Sequence, residues 1–275
     1  MSTAVFEVAC SIASRVAELE RFTGLAVDAE EEDEGLFNSL CRACCVLLAS
    51  HLEGFIKELS KGLISDLQYN LKSFSNMPEA MRRAFCEKIA FYEGVPKSEI
   101  DQRVGQLKDF FSTNTVAIDF QAFSYKENKN RNPGPDVVDS IFSKIGVPSV
   151  LYSISGGRLE RIFENDSSLN YSIRRDIRRF RSNFYSFPYR PLPEKYSFNY
   201  KVGRSSGEAK KRGQVSLWHT FIEDVMLRRH SIVHGDTMAN EANLSELKRD
   251  IEKMEVLMHS ILYSSAGFLC SSSGV

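Results

Sequence analysis

The sequence predicts an all-α protein, an antiparallel helical bundle with a large, partly irregular insertion between core helices. Three observations carry this. Apolar residues recur at helical spacing in long runs near both ends of the 275-residue chain. One run, Leu36 to about Tyr69, is apolar almost all round between Cys41 and Ile56, as a helix in the middle of a bundle must be. Between the runs, short helical patterns alternate with stretches dense in Pro, Gly, Ser and Lys.

The elements follow in order. Thr3–Phe22 is alanine-rich with 3.6-residue apolar spacing, and the acidic stretch Asp28–Gly35 separates it from the long Leu36 helix. Pro78–Tyr92 opens on a first-turn proline and stops at Gly94. Ser98–Phe111 carries a capping pattern, with Ser98 as cap and Asp101 three residues on. Val116, Ala117, Ile118 and Phe120 have the composition of a short strand, and Lys126–Pro135 that of a loop. Short helices are expected at Asp136–Ile145 and Gly157–Phe163, then a strongly basic one at Tyr171–Phe184. Ser186–Gly213 reads as a long loop, and Val215–His234 and Asn243–Leu269 as two closing helices. The chain thus divides into N-terminal core helices (1–112), a basic, loop-rich insertion (113–213) and C-terminal core helices (214–275), together one composite domain.

Net charge is −1, so no global charge argument points to a polyanion. The charge is segregated, however. Between Arg158 and Arg212 stand 14 basic and 6 acidic residues, a local excess of +8, while Asp28–Glu34 is acidic. Arg174, Arg175, Arg178, Arg179 and Arg181 fall within eight residues, a candidate phosphate-binding face. The start of the chain has no basic stretch leading into an apolar one, and no uninterrupted apolar run reaches the roughly 18 residues of a membrane span. A cytoplasmic protein with no membrane partner is the expectation. The six cysteines then read as reduced thiols, Cys41, Cys44 and Cys45 as buried and inert.

The sharpest motif lies at the end of the penultimate helix: Arg229-His230-Ser231-Ile232-Val233-His234-Gly235. On a helical wheel at about 100° per residue, Leu217, Trp218, Phe221, Ile222, Val225, Met226, Ile232 and Val233 form an apolar face. His219, Glu223, His230 and His234 cluster within roughly 60° on another side. Arg229 falls inside the apolar face, where its guanidinium needs a carboxylate or an anionic ligand. Glu53 is the only carboxylate between Leu36 and Lys57, so the two are expected within hydrogen-bonding distance of each other.

An arginine, a polar residue and a histidine five positions after the arginine resemble the signature of the HEPN superfamily. His51-Leu52-Glu53-Gly54-Phe55 is similar to a segment of several defence-associated branches, the RiboL-PSP type among them. The resemblance implies a metal-independent endoribonuclease without cofactors, a toxin or antiviral effector that works as a homodimer with a composite active site. RNA is cut when its 2′-hydroxyl attacks the neighbouring phosphate, leaving 2′,3′-cyclic phosphate and 5′-hydroxyl ends. That chemistry needs a group near neutral pKa to move protons, and a fixed cation for the developing phosphorane charge. His234 is the expected general acid/base, Arg229 the phosphate holder, His230 a hydrogen-bonding assistant and Glu53 the partner of Arg229. Silencing by an AMPylating antitoxin is doubtful, because Asp236 stands where the branch regulated in that way has tyrosine. The Ser186–Gly213 loop and the Asp28–Glu34 segment are candidate gates. Two other readings stay open: a zinc site on His230-x3-His234 with His219 and Glu223, and a non-catalytic RNA- or nucleotide-binding or dimerisation module.

Overall fold

The structure, a computed structural model, describes residues 2–71, 73–114, 118, 120, 134–147, 149–200, 215–235 and 243–272. Nine α-helices, joined by short 3₁₀ turns, are built from those residues, and no strand occurs among them.

Helix α1 (Ala4–Ala29) starts where the Thr3 hydroxyl accepts from the Phe6 amide, and buries Val5, Val8, Ile12, Val16 and Leu19. It outruns the expected end at Phe22, because Ala26 and Ala29 continue the buried stripe and nothing breaks the helix before the acidic turn. Helix α2 (Glu34–Asn70) is capped by Asp33, which accepts from the Leu36 amide at 2.8 Å. Its apolar girdle serves mainly α1, α8 (Leu217–His234) and α9 (Leu244–Ser272). By length and composition α2 alone among the described helices qualifies as a membrane span. Leu48, Ala49, Leu52, Phe55 and Ile56 are nonetheless buried inside the bundle. The N-terminus of α1 is tied down by Asp66, whose carboxylate accepts from the amides of Ala4 and Val5 and from the Tyr189 hydroxyl. A carboxylate there meets both free N–H groups and the positive end of the helix dipole.

Helices α3 (Glu79–Ala90) and α4 (Lys97–Thr113), read with the core helices from the sequence, pack mainly on each other. Ion pairs Arg83–Asp101 and Lys108–Glu79 join them, and Phe85 and Phe111 meet Phe74 of the preceding turn. Ser98 is not the cap of α4: Pro96, with φ −58°, occupies that position and sets Ser98 in the first turn. The expected strand falls mostly outside the described residues, and Phe120 sits buried in a 3₁₀ turn.

Helices α5 (Pro135–Ser143) and α6 (Val150–Ser153) lead to a 3₁₀ turn at Arg158–Glu164. The basic helix α7 (Ser167–Arg179) begins four residues before Tyr171, because Asp166 caps it at the Leu169 amide, and tightens to 3₁₀ over Phe180–Phe184. It lies on α9. Residues 186–200 are irregular apart from one 3₁₀ turn, and 201–213 of the expected loop lie outside the described residues.

Two buried titratable groups make stability depend on pH with opposite signs. Burial lowers His259 from 6.5 to about 4, and its Nδ1 has no hydrogen-bond partner among the described residues. The unfolded chain binds that proton first, so His259 costs stability as pH falls from 6.5 towards 4, by up to ~3 kcal/mol. Burial raises Asp139 from 3.8 to about 6, so it costs stability as pH rises through the same range. Urea unfolding between pH 4.5 and 6.5 should separate them. His259→Leu leaves stability falling with rising pH, and Asp139→Asn leaves it rising; unchanged slopes in both variants would refute the assignment.

Candidate functional site

The site is assembled where the last turns of α8 meet the middle of α2. Ser216 caps the start of α8, and Gly235, with φ 72°, ends it directly after His234. Helix α8 therefore presents Arg229, His230 and His234 on its final turns. The rings of His230 and His234, one helical turn apart, lie 4.2 Å centroid to centroid, and both residues are exposed. Leu227, on the same side of the helix, is 65% exposed.

Across from this turn, Glu53 and Arg229 do meet, through Nη1 and Oε2 at 3.7 Å. That is an ion pair, longer than the hydrogen bond the sequence led us to expect. The other Glu53 oxygen accepts from Lys57 Nζ at 2.9 Å. One carboxylate thus faces two cations, and all three side chains stay about a quarter to a third exposed. Lys57 escaped sequence reasoning, although its place four residues after Glu53, one turn on, was a visible signal.

Gly54 has its own task. A Cβ there would stand 3.1 Å from Arg15 Nη1, and that guanidinium crosses α2 at this point. Arg15 donates to the His51 carbonyl at 3.3 Å and to Glu58 at 2.6 Å. His51 itself is turned to α1, 3.2 Å from Glu18, and burial lowers its pKa despite that carboxylate. The segment therefore works on two sides, with His51 and Gly54 fitting α1 and Glu53 reaching α8.

The helical wheel misassigned several residues. Arg229 lies at the rim of the buried face, because Leu227, Val233 and Leu217 are exposed and Ile232 is only partly covered. The more enclosed arginine is Arg228, which donates to Asp250 of α9 at 2.5 Å. Burial opposes the Arg228 charge, but Asp250 more than offsets this and raises its pKa. His219 leaves the predicted histidine stripe altogether. It is buried, 2.6 Å from Ser216 Oγ, against the Tyr152 ring and 3.8 Å from Asp139. Glu223 is exposed. Among the described residues no three His, Cys, Asp or Glu side chains converge as a metal site, so the stripe that supported the zinc reading is broken. Burial pushes the Cys44 thiol up to about 12 and Cys86 to about 11, which keeps both protonated.

The five arginines of the basic segment divide into two groups. Arg174 is 16% exposed and meets Glu255, Glu252 and Glu20 at once, while Arg178 makes two bonds to Glu255. Arg175, Arg179 and Arg181 are exposed. The sequence could not show this division, because Glu252 and Glu255, which engage Arg174 and the half-exposed Arg178, come some 80 residues later. Asp236 lies outside the described residues.

The site thus offers a guanidinium and an ammonium held by one carboxylate, beside two accessible imidazoles. This suits a phosphodiester, with cations for its oxygens and two open rings within reach of it. Residues 11–264 match the family described as RiboL-PSP-HEPN. Comparison with curated proteins and with solved structures finds no match.

Proposed function

We propose that this chain, which belongs to the RiboL-PSP-HEPN family, is an endoribonuclease that cleaves RNA through its own 2′-hydroxyl. The observation that carries the reading is the pairing of Glu53 with Arg229, which brings the α2 segment against the Arg-x4-His turn and leaves both histidines open. In the reaction the bond from the 2′-oxygen to phosphorus forms as the bond to the 5′-oxygen breaks. His234 takes the 2′ proton and gives it up to the departing 5′-oxygen, with His230 assisting by hydrogen bonding one turn away. Arg229 holds the non-bridging oxygens as charge builds on them, oriented by Glu53. Since these groups supply both proton transfer and charge stabilisation, the step needs no metal.

A homodimer fits the same surface. Leu227 exposes an apolar side chain beside His230 and His234, and a second copy of α8 packed there would put two motif turns on one cleft. Membership of a defence-associated branch supports a toxin or antiviral effector acting in the cytoplasm. The test is purified protein with total RNA in EDTA. Cleavage leaving 2′,3′-cyclic phosphate ends supports the proposal, and Leu227→Arg should then yield monomers with little activity. RNA that is bound but stays intact at every protein concentration would favour a binding module, and cleavage only with added divalent metal would contradict the mechanism.

A further inference from the structure

Helix α7 carries a second row of side chains that the packing of the fold does not use. Its inner row is fully engaged. Arg174 donates to Glu255 at 2.5 Å, to Glu20 at 2.8 Å and to Glu252 at 3.3 Å, and Arg178 holds both Glu255 oxygens. Asn170 adds a bond to Glu252 at 2.7 Å. This clamp fixes the rotation of α7 on α9.

The outer row is Tyr171, Arg175 and Arg179, each four residues after the last. Tyr171 is 67% exposed, Arg175 and Arg179 are exposed, and the Arg175 guanidinium stands 6.0 Å above the Tyr171 ring. Among the described residues, Arg175 pairs loosely with the neighbouring Asp176 at 3.7 Å. With Arg174, Arg178 and Glu20, the row lines an open groove of about 440 Å³. The one carboxylate in that lining, Glu20, already accepts from Arg174.

We propose that Tyr171, Arg175 and Arg179 form a track for a single-stranded stretch of RNA, a base stacking on the tyrosine and successive phosphates meeting the two arginines. This rests on the ribonuclease reading for its substrate and adds where that substrate lies beyond the cut. Three arguments favour an unpaired strand. An exposed ring standing off a helix offers a face to a base, and bases present free faces only when unpaired. Residues four apart on a helix repeat every 6 Å or so, the order of the spacing between phosphates in an extended strand. The row is also pre-set, because the buried clamp beneath it holds the helix still. Glu252 and Glu255 follow Asp250 on α9 by two and five residues, about 3 to 8 Å along the axis. Asp250 holds Arg228, the neighbour of Arg229, so the track and the motif stand at similar heights along α9, though roughly 140° to 200° apart around it.

The experiment measures binding without cleavage, using a 12-nucleotide single strand with 2′-O-methyl groups, titrated by fluorescence anisotropy across a salt series. Tyr171→Ala should weaken binding about tenfold, within the range of one lost stacking contact. The double substitution Arg175→Ala with Arg179→Ala should lower the steepness of log K against log salt by about 1.4, two phosphates' worth for single strands. Replacing both arginines with lysine should restore the steepness, and melting temperatures should match wild type because all three side chains are exposed. A wild type that binds no RNA, or an alanine pair with unchanged affinity and steepness, would overturn the track. So would a duplex bound as tightly and with the same sensitivity to Tyr171, or tighter binding of an acidic peptide than of RNA. A wild type that binds with these signatures yet cuts no unmodified RNA would overturn the ribonuclease reading and leave the track standing.

Discussion

Arg229→Ala and His234→Ala should each lower the cleavage rate by about 10² to 10⁴-fold, with the melting temperature within a few degrees of wild type. The activity loss follows from role. In the proposed mechanism Arg229 stands beside the scissile phosphate and His234 moves the proton. The small stability loss follows from position. His234 is exposed, and Arg229 at 27% exposure pairs with a carboxylate that keeps Lys57 when the arginine is gone. Related substitutions grade the effect. Arg229→Lys keeps a charge but loses the planar fork and should recover only part of the rate. Glu53→Gln removes the charge that orients Arg229 and should lie between wild type and Arg229→Ala. Initial rates on one defined RNA, with circular dichroism melts of the same preparations, check all four. Wild-type rates in Arg229→Ala or His234→Ala would refute the assignment.

Glu255→Leu should be among the most destabilising single changes outside the apolar core, costing about 2 to 3 kcal/mol. The carboxylate is 1% exposed, and its two oxygens take bonds from both Arg174 and Arg178. Burial alone would raise its pKa, but Arg178 and Arg174 reverse this and hold it below the usual carboxylate value. Leucine would remove their shared acceptor, leaving Arg174 with Glu20 and Glu252 and the half-exposed Arg178 to water. Glu255→Gln keeps one acceptor oxygen but turns an amide NH2 towards a guanidinium donor, and should cost somewhat less than leucine. The sign with pH follows from the lowered pKa: stabilisation is present above the unfolded value and is lost as pH falls through the folded one. Urea unfolding at pH 7 and pH 4 measures both effects. A difference below 1 kcal/mol for leucine at pH 7 would mean that the clamp carries no weight. If the clamp sets the track on α7, both variants should also weaken RNA binding without touching the motif.

The sequence made the bundle legible where one rule acted alone. The apolar girdle of α2 and the closing helices α8 and α9 needed only periodicity, and Glu53 stood out as a lone charge in that girdle. Errors arose where two rules competed or a distant residue decided. Ser98 had the composition of a cap, but Pro96 fixed the backbone two residues earlier. The acidic stretch after Val27 read as a separator, yet Ala26 and Ala29 carried α1 through its beginning. The wheel set Arg229 among apolar residues and overlooked Arg228, because Asp250 lies on another helix. His219 shared a wheel sector with His230 and His234, but it lies near the start of the helix, where it is buried with Trp218, Phe221 and Ile222. In α7, composition revealed the charge, and only tertiary partners separated the anchoring arginines, Arg174 and Arg178, from the rest.

The central claim is that the substrate's own 2′-hydroxyl is the nucleophile, served by His234 and Arg229. The most direct measurement uses a short RNA cut at one mapped position, compared in EDTA with the same strand carrying a single 2′-deoxy sugar immediately 5′ of that phosphate. The account predicts that the altered linkage stays intact while the strand binds as before. Cleavage at the deoxy linkage would contradict it, since the attacking oxygen would then have to come from water.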